Sequence, residues 1–144
     1  MLSPIQLKKH DFAEISIVAN PEVDDSKASD VTCACRHQFG AGPNDDKQLI
    51  WMARLRLELL KPEEADTVSL YTGAIEVFGE FELHPDLPED ERAKHIHISG
   101  GAMLYSAIRE MVTLLTARSI HGVVELPTID PRVFLPKQPE SEEK

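Results

Sequence analysis

The chain has 144 residues and a formal net charge of −10, and 28% of its residues are charged. This length suits one domain with its own hydrophobic core. The acidic balance argues against nucleic acid, because phosphate contacts need clustered Lys and Arg. The sequence also has no apolar run of the roughly 18 to 20 residues that a membrane span requires. We therefore expect a protein that neither binds nucleic acid nor inserts into a membrane.

The first residues, "MLSPIQLKKHDF", lack the apolar core and the small-residue cleavage site of a secretory signal peptide. We therefore expect a cytoplasmic protein. Its two cysteines, Cys33 and Cys35, would lie on the same face of a strand, where they are awkward disulfide partners. Reduced, structural thiols are the better interpretation than a C-x-C metal clip, which needs further soft ligands.

Two segments in the first third of the chain have the features of β-strands. The run 12–19 is rich in β-branched residues and is followed by the turn signal Asn20-Pro21. The run 29–39 is less regular, with Val31, Cys33 and Cys35 at alternate positions, and the glycines, proline and asparagine of 40–44 are expected to end it.

Two further strands are predicted by alternation. In 47–60, leucines occupy one parity and charged residues the other, although a leucine-rich run of this length also suits a helix. In 75–83, apolar residues alternate with Glu76, Glu80 and Glu82, and Gly79 would suit a β-bulge. One face of this last predicted strand is apolar, and carboxylates line the other.

A long helix is predicted after a polar connection over 84–99. Apolar residues recur at helical spacing from Ser99 to about Ser119, and Gly122 follows as a stop signal. Gly100-Gly101 is interpreted as a tight start of this helix, because no Lys-Ser/Thr pair of a phosphate loop follows it. The helix would cover the apolar face of the sheet.

The end of the chain is rich in proline. Asp130 followed by Pro131 predicts a single helical turn over 132–135, which Pro136 stops. We predict an α+β fold, in which one long α-helix packs on a four-stranded antiparallel β-meander and a short C-terminal helical turn follows. Residues 1–136 would form this single domain, and 137–144 a disordered acidic tail.

Residues with catalytic or metal-binding potential are sparse. His95 and His97 would share a face of an extended segment, but an H-x-H pair is more typical of exposed, hydrogen-bonded histidines than of a metal site. Ser99, Ser106 and Ser119 have no nucleophile elbow around them. We therefore predict no catalytic residue, no metal and no cofactor.

Two charged features remain open in function. Arg109 and Glu110 interrupt the apolar pattern of the helix. They would lie either on its solvent-exposed face or in a subunit interface. The carboxylates of 76–82 suit solvation or the docking of a basic partner, since a surface of one sign steers association.

The segment "LYSAIREMVTLLTARSIHGVVELPTIDPRVF", residues 104–134, resembles the C-terminal half of the SecB protein-export chaperone family. The matching features are Leu104-Tyr105, the pair Arg109-Glu110, Arg118 and "LPTID". "GEFEL" at 79–83 is similar to the family's G-I-F-x-I, and the order of four strands before a long helix agrees.

The resemblance implies an ATP-independent holdase that binds unfolded or precursor polypeptides, keeps them translocation-competent and delivers them to SecA. It also implies a homotetramer built as a dimer of dimers, with the long helices at the interface, for which we expect contacts from Leu104, Tyr105, Ile108, Arg109 and Val112. The client-binding residues would be Trp51, Val123, Val124, Leu126 and Phe134. The SecA-docking carboxylates would be Glu14, Glu76 and Glu82.

The chain departs from the family pattern at several of these positions. Val18 and Ala74 stand where the family has acidic residues for SecA, and Pro136 and Pro139 preclude its longer second helix. A SecB-like chaperone dedicated to another client, such as an antitoxin, explains these losses comparably well.

A function of a different class is also open. One long helix against an antiparallel sheet describes hot-dog thioesterases as well, which would need a catalytic acid near the helix and a basic cluster for the coenzyme. Glu110 is the acidic residue in mid-helix, and it lies beside Arg109 with no such basic cluster evident.

Overall fold

The computed structural model describes residues 1–21, 35–60 and 70–137. Its strands are β1 (Ile5–Ala19), β2 (Cys35–Pro43), β3 (Ile50–Leu59) and β4 (Tyr71–Leu83). Its helical elements are α1 (Glu89–His95), a π-helical turn (Ile96–Gly100), α2 (Gly101–Thr116) and a 3-10 turn (Pro131–Phe134). The predicted α+β fold, with a four-stranded antiparallel sheet, one long helix and a short C-terminal turn, is confirmed.

The strands lie in the order β1-β4-β3-β2, and every neighbouring pair is antiparallel. Strands β2, β3 and β4 form the expected meander, whereas β1 lies beside β4 rather than beside β2. Consecutive strands β1 and β2 therefore occupy opposite edges of the sheet, which is the arrangement of a Greek key.

Strand β3 shows which side of the sheet forms the core. Trp51, Leu55 and Leu57 are buried, whereas Arg54 and Arg56 point to the other face. In β4, Val77 and Ile75 lie opposite Leu55 and Leu57 and are buried with them. The period of two in 47–60 therefore does mark a strand, because tertiary burial of one face outweighs the helix propensity of leucine.

Strand β1 begins at Ile5, seven residues before the predicted start, and the irregularities of the sheet lie within it. Its register against β4 shifts between Leu7 and Lys9 and again between Phe12 and Glu14. Gly79 pairs in regular register with His10 of β1 and with Ala53 of β3, so the β-bulge expected at this residue is absent from both of these pairings.

Strand β2 runs through the cluster that was expected to end it. Gly40 and Gly42 pair with Arg54 and Met52 of β3, and the strand ends only at Pro43. Both glycines lie on an edge strand, and no atom lies within 4 Å of a Cβ placed on either of them. Val31 and Cys33, which were predicted to belong to this strand, lie outside the described residues.

The helical segment begins ten residues earlier than predicted, at Glu89. The first turn of α1 carries three acidic residues, Glu89, Asp90 and Glu91, directly after Pro88, and both features favour a helix N-terminus. The prediction of a polar connection was wrong for 89–98, because α1 buries none of its residues and so has no apolar stripe to reveal it. Beyond Thr116 the chain turns, and Gly122 adopts a positive φ of 75°.

Gly100 and Gly101 lie inside the helical segment and do not start it. A Cβ on Gly100 would lie 3.2 Å from Cζ of Phe81, and one on Gly101 would overlap the ring of Phe134. A third glycine, Gly79, faces the helix from β4, where a Cβ would lie 2.8 Å from Cδ2 of Leu104. These glycines let the helix approach the sheet and the C-terminal turn closely.

The face of α2 toward the sheet forms the centre of the core. Leu104, Ile108 and Val112 are each 0% exposed, and α2 contacts β1, β3 and β4. Burial of a side chain of this size contributes roughly 1.5–3 kcal/mol to folding. The helix therefore covers the apolar face of the sheet as predicted.

We expect Gly73→Ala to destabilise the protein by roughly 2 kcal/mol or more. Gly73 has φ of 139°, and an added Cβ would overlap the carbonyl group of Ser16 on β1. The measurement is the denaturant midpoint of the variant against the unmodified chain.

Gly40→Ala is the matched control, because no atom lies within 4 Å of a Cβ placed there. Its free energy of unfolding should stay within about 0.5 kcal/mol of the original. Equal stability of the two variants would contradict the close approach of β1 and β4 at Gly73.

Candidate functional site

Residues 123–137, here called the C-terminal strap, run along α2 in the direction opposite to the helix. The N–H of Val124 donates to Oγ1 of Thr116 at 2.9 Å, near the end of α2. Further along, the strap meets Tyr105, and Phe134 finally packs against Gly101 at the start of α2. The strap has no regular structure before its 3-10 turn, so the helix holds it in place.

Two side chains of α2 bind the main chain of the strap. The hydroxyl of Tyr105 donates to the carbonyl oxygen of Pro127 at 2.7 Å, and Nε of Arg109 donates to that of Leu126 at 3.0 Å. Burial raises the pKa of Tyr105, so its phenol stays protonated and keeps its role as donor. The pair Tyr105 and Arg109 thus positions an extended segment of chain.

Phe134 is the anchor at the far end of the strap. Its side chain is 3% exposed and lies in a cluster of rings, with centroid distances of 5.3 Å to His37, 5.4 Å to Phe39 and 6.4 Å to Tyr105. Nδ1 of His97 lies 2.9 Å from the carbonyl oxygen of Phe134. The predicted cap also forms, since Asp130 accepts a hydrogen bond from the N–H of Arg132, and the helical turn is confirmed at Pro131–Phe134.

The predicted client-binding residues are only partly on the surface. Leu126 and Phe134 are 1% and 3% exposed, whereas Val123 is 54% exposed, and all three belong to the strap together with half-buried Val124. Trp51 lies apart from them on β3, is 5% exposed and donates its indole N–H to the carbonyl oxygen of Gln48 at 2.8 Å. Four of the five therefore lie along the strap, with Val124 and Phe134 at opposite ends of α2, whereas Trp51 lies in the core.

The residues predicted at a subunit interface serve the chain itself. Leu104, Ile108 and Val112 pack on the sheet, while Tyr105 and Arg109 hold the strap. The apolar stripe indicated a buried face, and the sheet of the same subunit is what buries it. On other sides of α2, Leu114 and Leu115 are 65% and 44% exposed.

A groove beside the edge strand β2 is the feature that the sequence interpretation missed. Within the described residues, β2 pairs with β3 on one side only. The ring of His97 contacts Phe39 of β2, with centroids 5.2 Å apart, and also lines a groove of about 440 Å³. The groove lies between α1 and the strap and is lined by Asp90, Ala93, Lys94, His97, Leu135 and Pro136. The three acidic residues in the first turn of α1 could have revealed the helix that forms one wall of this groove.

The outer face of the sheet carries charges of both signs. Nε of Arg54 lies 2.7 Å from Glu76, and Arg56 pairs with Glu14, with Glu58 at 3.1 Å and with Glu76 at 3.2 Å. The hydrogen bond from Arg54 holds the pKa of Glu76 below its usual range. The carboxylates expected on one face of 75–83 lie on this outer face, where Arg54 and Arg56 of β3 pair with one of them, Glu76.

The three carboxylates predicted to dock on SecA differ in availability. Glu14 and Glu76 share Arg56, and the side chain of Glu76 is only 14% exposed. Glu82 is 53% exposed and lies 3.7 Å from Nζ of Lys8. A basic partner on this face would therefore compete with arginine at two of the three positions.

The histidines of the helical segment do not form a metal site with their surroundings. His95 and His97 lie on a helix rather than on an extended segment, and His97 is bound to the strap. Across residues 1–21, 35–60 and 70–137, no group of three or more His, Cys, Asp or Glu side chains could hold a metal ion. In the same ranges, no helix has the length and apolar character needed to cross a membrane.

A four-stranded sheet in the order 1-4-3-2, covered by a long helix, defines a SecB-like α+β fold. The chain is similar to a SecB-like chaperone of Mycobacterium tuberculosis, solved in complex with a ChAD peptide from the HigA1 antitoxin. The TM-score is 0.55 at 17% identity, and the match covers 88% of this chain and 91% of that one.

A second similar structure is a protein of unknown function from Streptococcus agalactiae, with a TM-score of 0.47, 10% identity, and coverage of 86% of this chain and 97% of that one. The sequence matches no protein-family model and no curated protein.

Glu76→Gln should lower the denaturant midpoint at neutral pH, because it removes the charge that pairs with Arg54 and Arg56. Since the folded-state pKa of Glu76 lies below the ordinary value of 4.5, its stabilisation is present above that value and is lost as the pH falls through the folded-state pKa. The difference between variant and original chain should therefore shrink in acid.

The control for this pH series is Glu82→Gln on the same strand, since Glu82 is exposed and has only a long contact to Lys8. It should change the midpoint little at any pH. If the midpoints of Glu76→Gln and the original chain differ by as much in acid as at neutral pH, the ion pairs are not the cause of the difference.

Thr116→Val should destabilise the protein by roughly 1–3 kcal/mol, because it leaves the N–H of Val124 without its acceptor. Thr113→Val is the matched control, since Oγ1 of Thr113 bonds only within the helix, to the carbonyl oxygen of Arg109 at 3.0 Å. Thermal melting compares the two. Equal losses would show that Thr116 does not anchor the strap.

Proposed function

We propose that this chain is an ATP-independent chaperone that binds extended segments of non-native polypeptides and keeps them from folding or aggregating. The observation that carries the proposal is that His97, whose ring contacts Phe39 of the edge strand β2, also lines the groove of about 440 Å³. An extended client segment adds to β2 through main-chain hydrogen bonds and places side chains in the groove. Main-chain recognition explains how one site accepts many sequences.

The shape and charge of the groove agree with this role. Ala93, Leu135 and Pro136 supply apolar surface, while Asp90 and Lys94 lie along one wall. No atom lies within 4 Å of a Cβ placed on Gly40 or Gly42, so the faces of β2 are uncrowded at these two positions. With a net charge of −10, the protein as a whole favours basic client segments.

The chaperone function could serve either of two purposes, delivery of precursors to SecA or binding of one dedicated client. Delivery of precursor polypeptides to SecA through Glu14, Glu76 and Glu82 follows from the resemblance to the export chaperones. A dedicated client such as an antitoxin is supported by the bound antitoxin peptide of the similar M. tuberculosis chaperone. The pairing of Glu14 and Glu76 with Arg56 favours the second candidate, because a basic SecA surface would have to displace that arginine.

We further propose that the protein acts in the cytoplasm as a homotetramer built as a dimer of dimers. The long helices meet at the interface through their exposed side chains, such as Leu114 and Leu115. Leu104, Tyr105, Ile108, Arg109 and Val112 then support the interface from beneath, by fixing α2 on the sheet and the strap on α2.

The purified protein should suppress the aggregation of a chemically denatured test protein at near-stoichiometric ratio and without nucleotide. Ala93→Trp, which fills the groove, should weaken this suppression several-fold. Glu91→Trp is the control, because it places the same ring on the opposite side of α1 and outside this groove. Light scattering measures aggregation, and sedimentation of the same samples reports the assembly state.

Two results would count against the chaperone function. One is unchanged aggregation with the unmodified protein, and the other is equal suppression by both tryptophan variants, which would remove the groove from client binding. Hydrolysis of acyl-CoA by the same samples would favour the thioesterase alternative, although Glu110, its candidate acid, is exposed to solvent on α2.

A further inference from the structure

Three hydrogen bonds between α2 and the strap end on main-chain atoms of the strap. Thr116 accepts from the N–H of Val124, and Arg109 and Tyr105 donate to the carbonyl oxygens of Leu126 and Pro127. Each bond ends on a backbone atom of the strap. Any extended polypeptide offers the same backbone groups, so this flank of α2 is suited to segments other than the strap.

The side chains of the strap follow the pattern of a bound peptide. Leu126 and Phe134 are anchors that are 1% and 3% exposed. Glu125 and Thr128, which lie between or beside them, are exposed to solvent. An extended segment with two buried apolar anchors and exposed intervening residues is how a peptide occupies a groove.

The strap fills its site incompletely. A cavity of about 140 Å³ lies between the strap and α2, next to Tyr105 and Ile129. The end of the strap, Leu135 and Pro136, is also one wall of the groove beside β2. The strap is therefore a wall of both the cavity and the groove, and its displacement would change both.

We propose that the strap is a built-in occupant of a second polypeptide site along α2, and that an extended client segment with an aromatic residue displaces it. The client's carbonyl groups take the bonds of Arg109 and Tyr105, and its aromatic ring takes the position of Phe134 beside Phe39 and Gly101. This inference rests on the proposed chaperone function and adds to it a competition between strap and client.

Competition has a quantitative consequence. A site that its own chain occupies for most of the time binds a client with an affinity reduced by the fraction of molecules in which the site is open. Weakening the strap must then raise client affinity, whereas weakening an ordinary structural element must lower it or leave it unchanged. The direction of the effect therefore distinguishes an occupant from a structural part.

The test uses the full chain and a labelled synthetic peptide with the sequence of the strap, "VVELPTIDPRVFLPK". Phe134→Ala in the full chain removes the anchor and leaves its pocket for the peptide's phenylalanine. Fluorescence anisotropy should show the peptide binding this variant about ten-fold more tightly than it binds the unmodified chain. Val133→Ala, at a neighbouring residue that is 48% exposed, should bind the peptide as the unmodified chain does.

A second peptide, with alanine at the position of Phe134, checks that the pocket is the site, and it should lose the gain in affinity. Equal affinities of the labelled peptide for Phe134→Ala, Val133→Ala and the unmodified chain would overturn the proposal.

Hydrogen exchange of the unmodified protein gives a readout that does not depend on how Phe134→Ala folds. If the strap opens by itself, the amide of Val124 should exchange about ten-fold or more faster than that of Leu55 in the core strand β3. Equal rates for the two amides would mean that the strap opens only on global unfolding, and the proposal would then be wrong.

The two proposals fail in different experiments. Suppression of aggregation by the unmodified chain, with no gain in peptide affinity for Phe134→Ala, overturns the strap site and leaves the chaperone function in place. A gain in peptide affinity without any suppression of aggregation supports the strap site and removes the chaperone function.

Discussion

The helical segment meets the sheet at the ring of Phe81, which is 0% exposed. Gly100 brings the helix main chain to this ring, and Gly79 makes room for Leu104 beside it. A side chain at either glycine would push the helix away from β4. Because Tyr105, Arg109 and Thr116 hold the strap and α1 forms a wall of the groove, both surfaces depend on this one close contact between helix and sheet.

The two faces of the sheet contribute to the molecule by different physical means. The helix-facing side is stabilised by apolar burial, with Leu55, Val77 and Phe81 each 0% exposed. On the outer side, Arg56 pairs with carboxylates of β1, β3 and β4, and Arg54 pairs with Glu76 of β4. Salt and acid therefore act on the ion pairs of the outer face rather than on the apolar core.

The sequence predicts those parts of the fold that carry a strong period. Alternation over β3 and β4, helical spacing over α2 and the Asp130-Pro131 cap all correspond to observed elements. The helix α1 was missed because it buries no residue, so no periodic apolar signal exists for it. The Greek-key position of β1 depends on pairing with a strand more than fifty positions away, which local pattern does not encode.

The candidate site was predictable in composition but not in arrangement. The sequence placed Leu126 and Phe134 in a binding region and Tyr105 and Arg109 in an interface, and both sets are in fact two sides of one contact. Periodicity reveals that a helix face is buried without revealing what buries it. The groove beside β2 depends on α1, so it was lost together with that helix.

The π-helical turn Ile96–Gly100 joins α1 to α2 with one residue more than an α-helix would use. That extra residue sets the rotation of α1 about the common axis. An α-helix turns by about 100° per residue, so removal of one residue here would rotate the groove wall formed by Asp90, Ala93 and Lys94 by that angle relative to α2. The length of this turn therefore determines which side of α1 forms the wall of the groove.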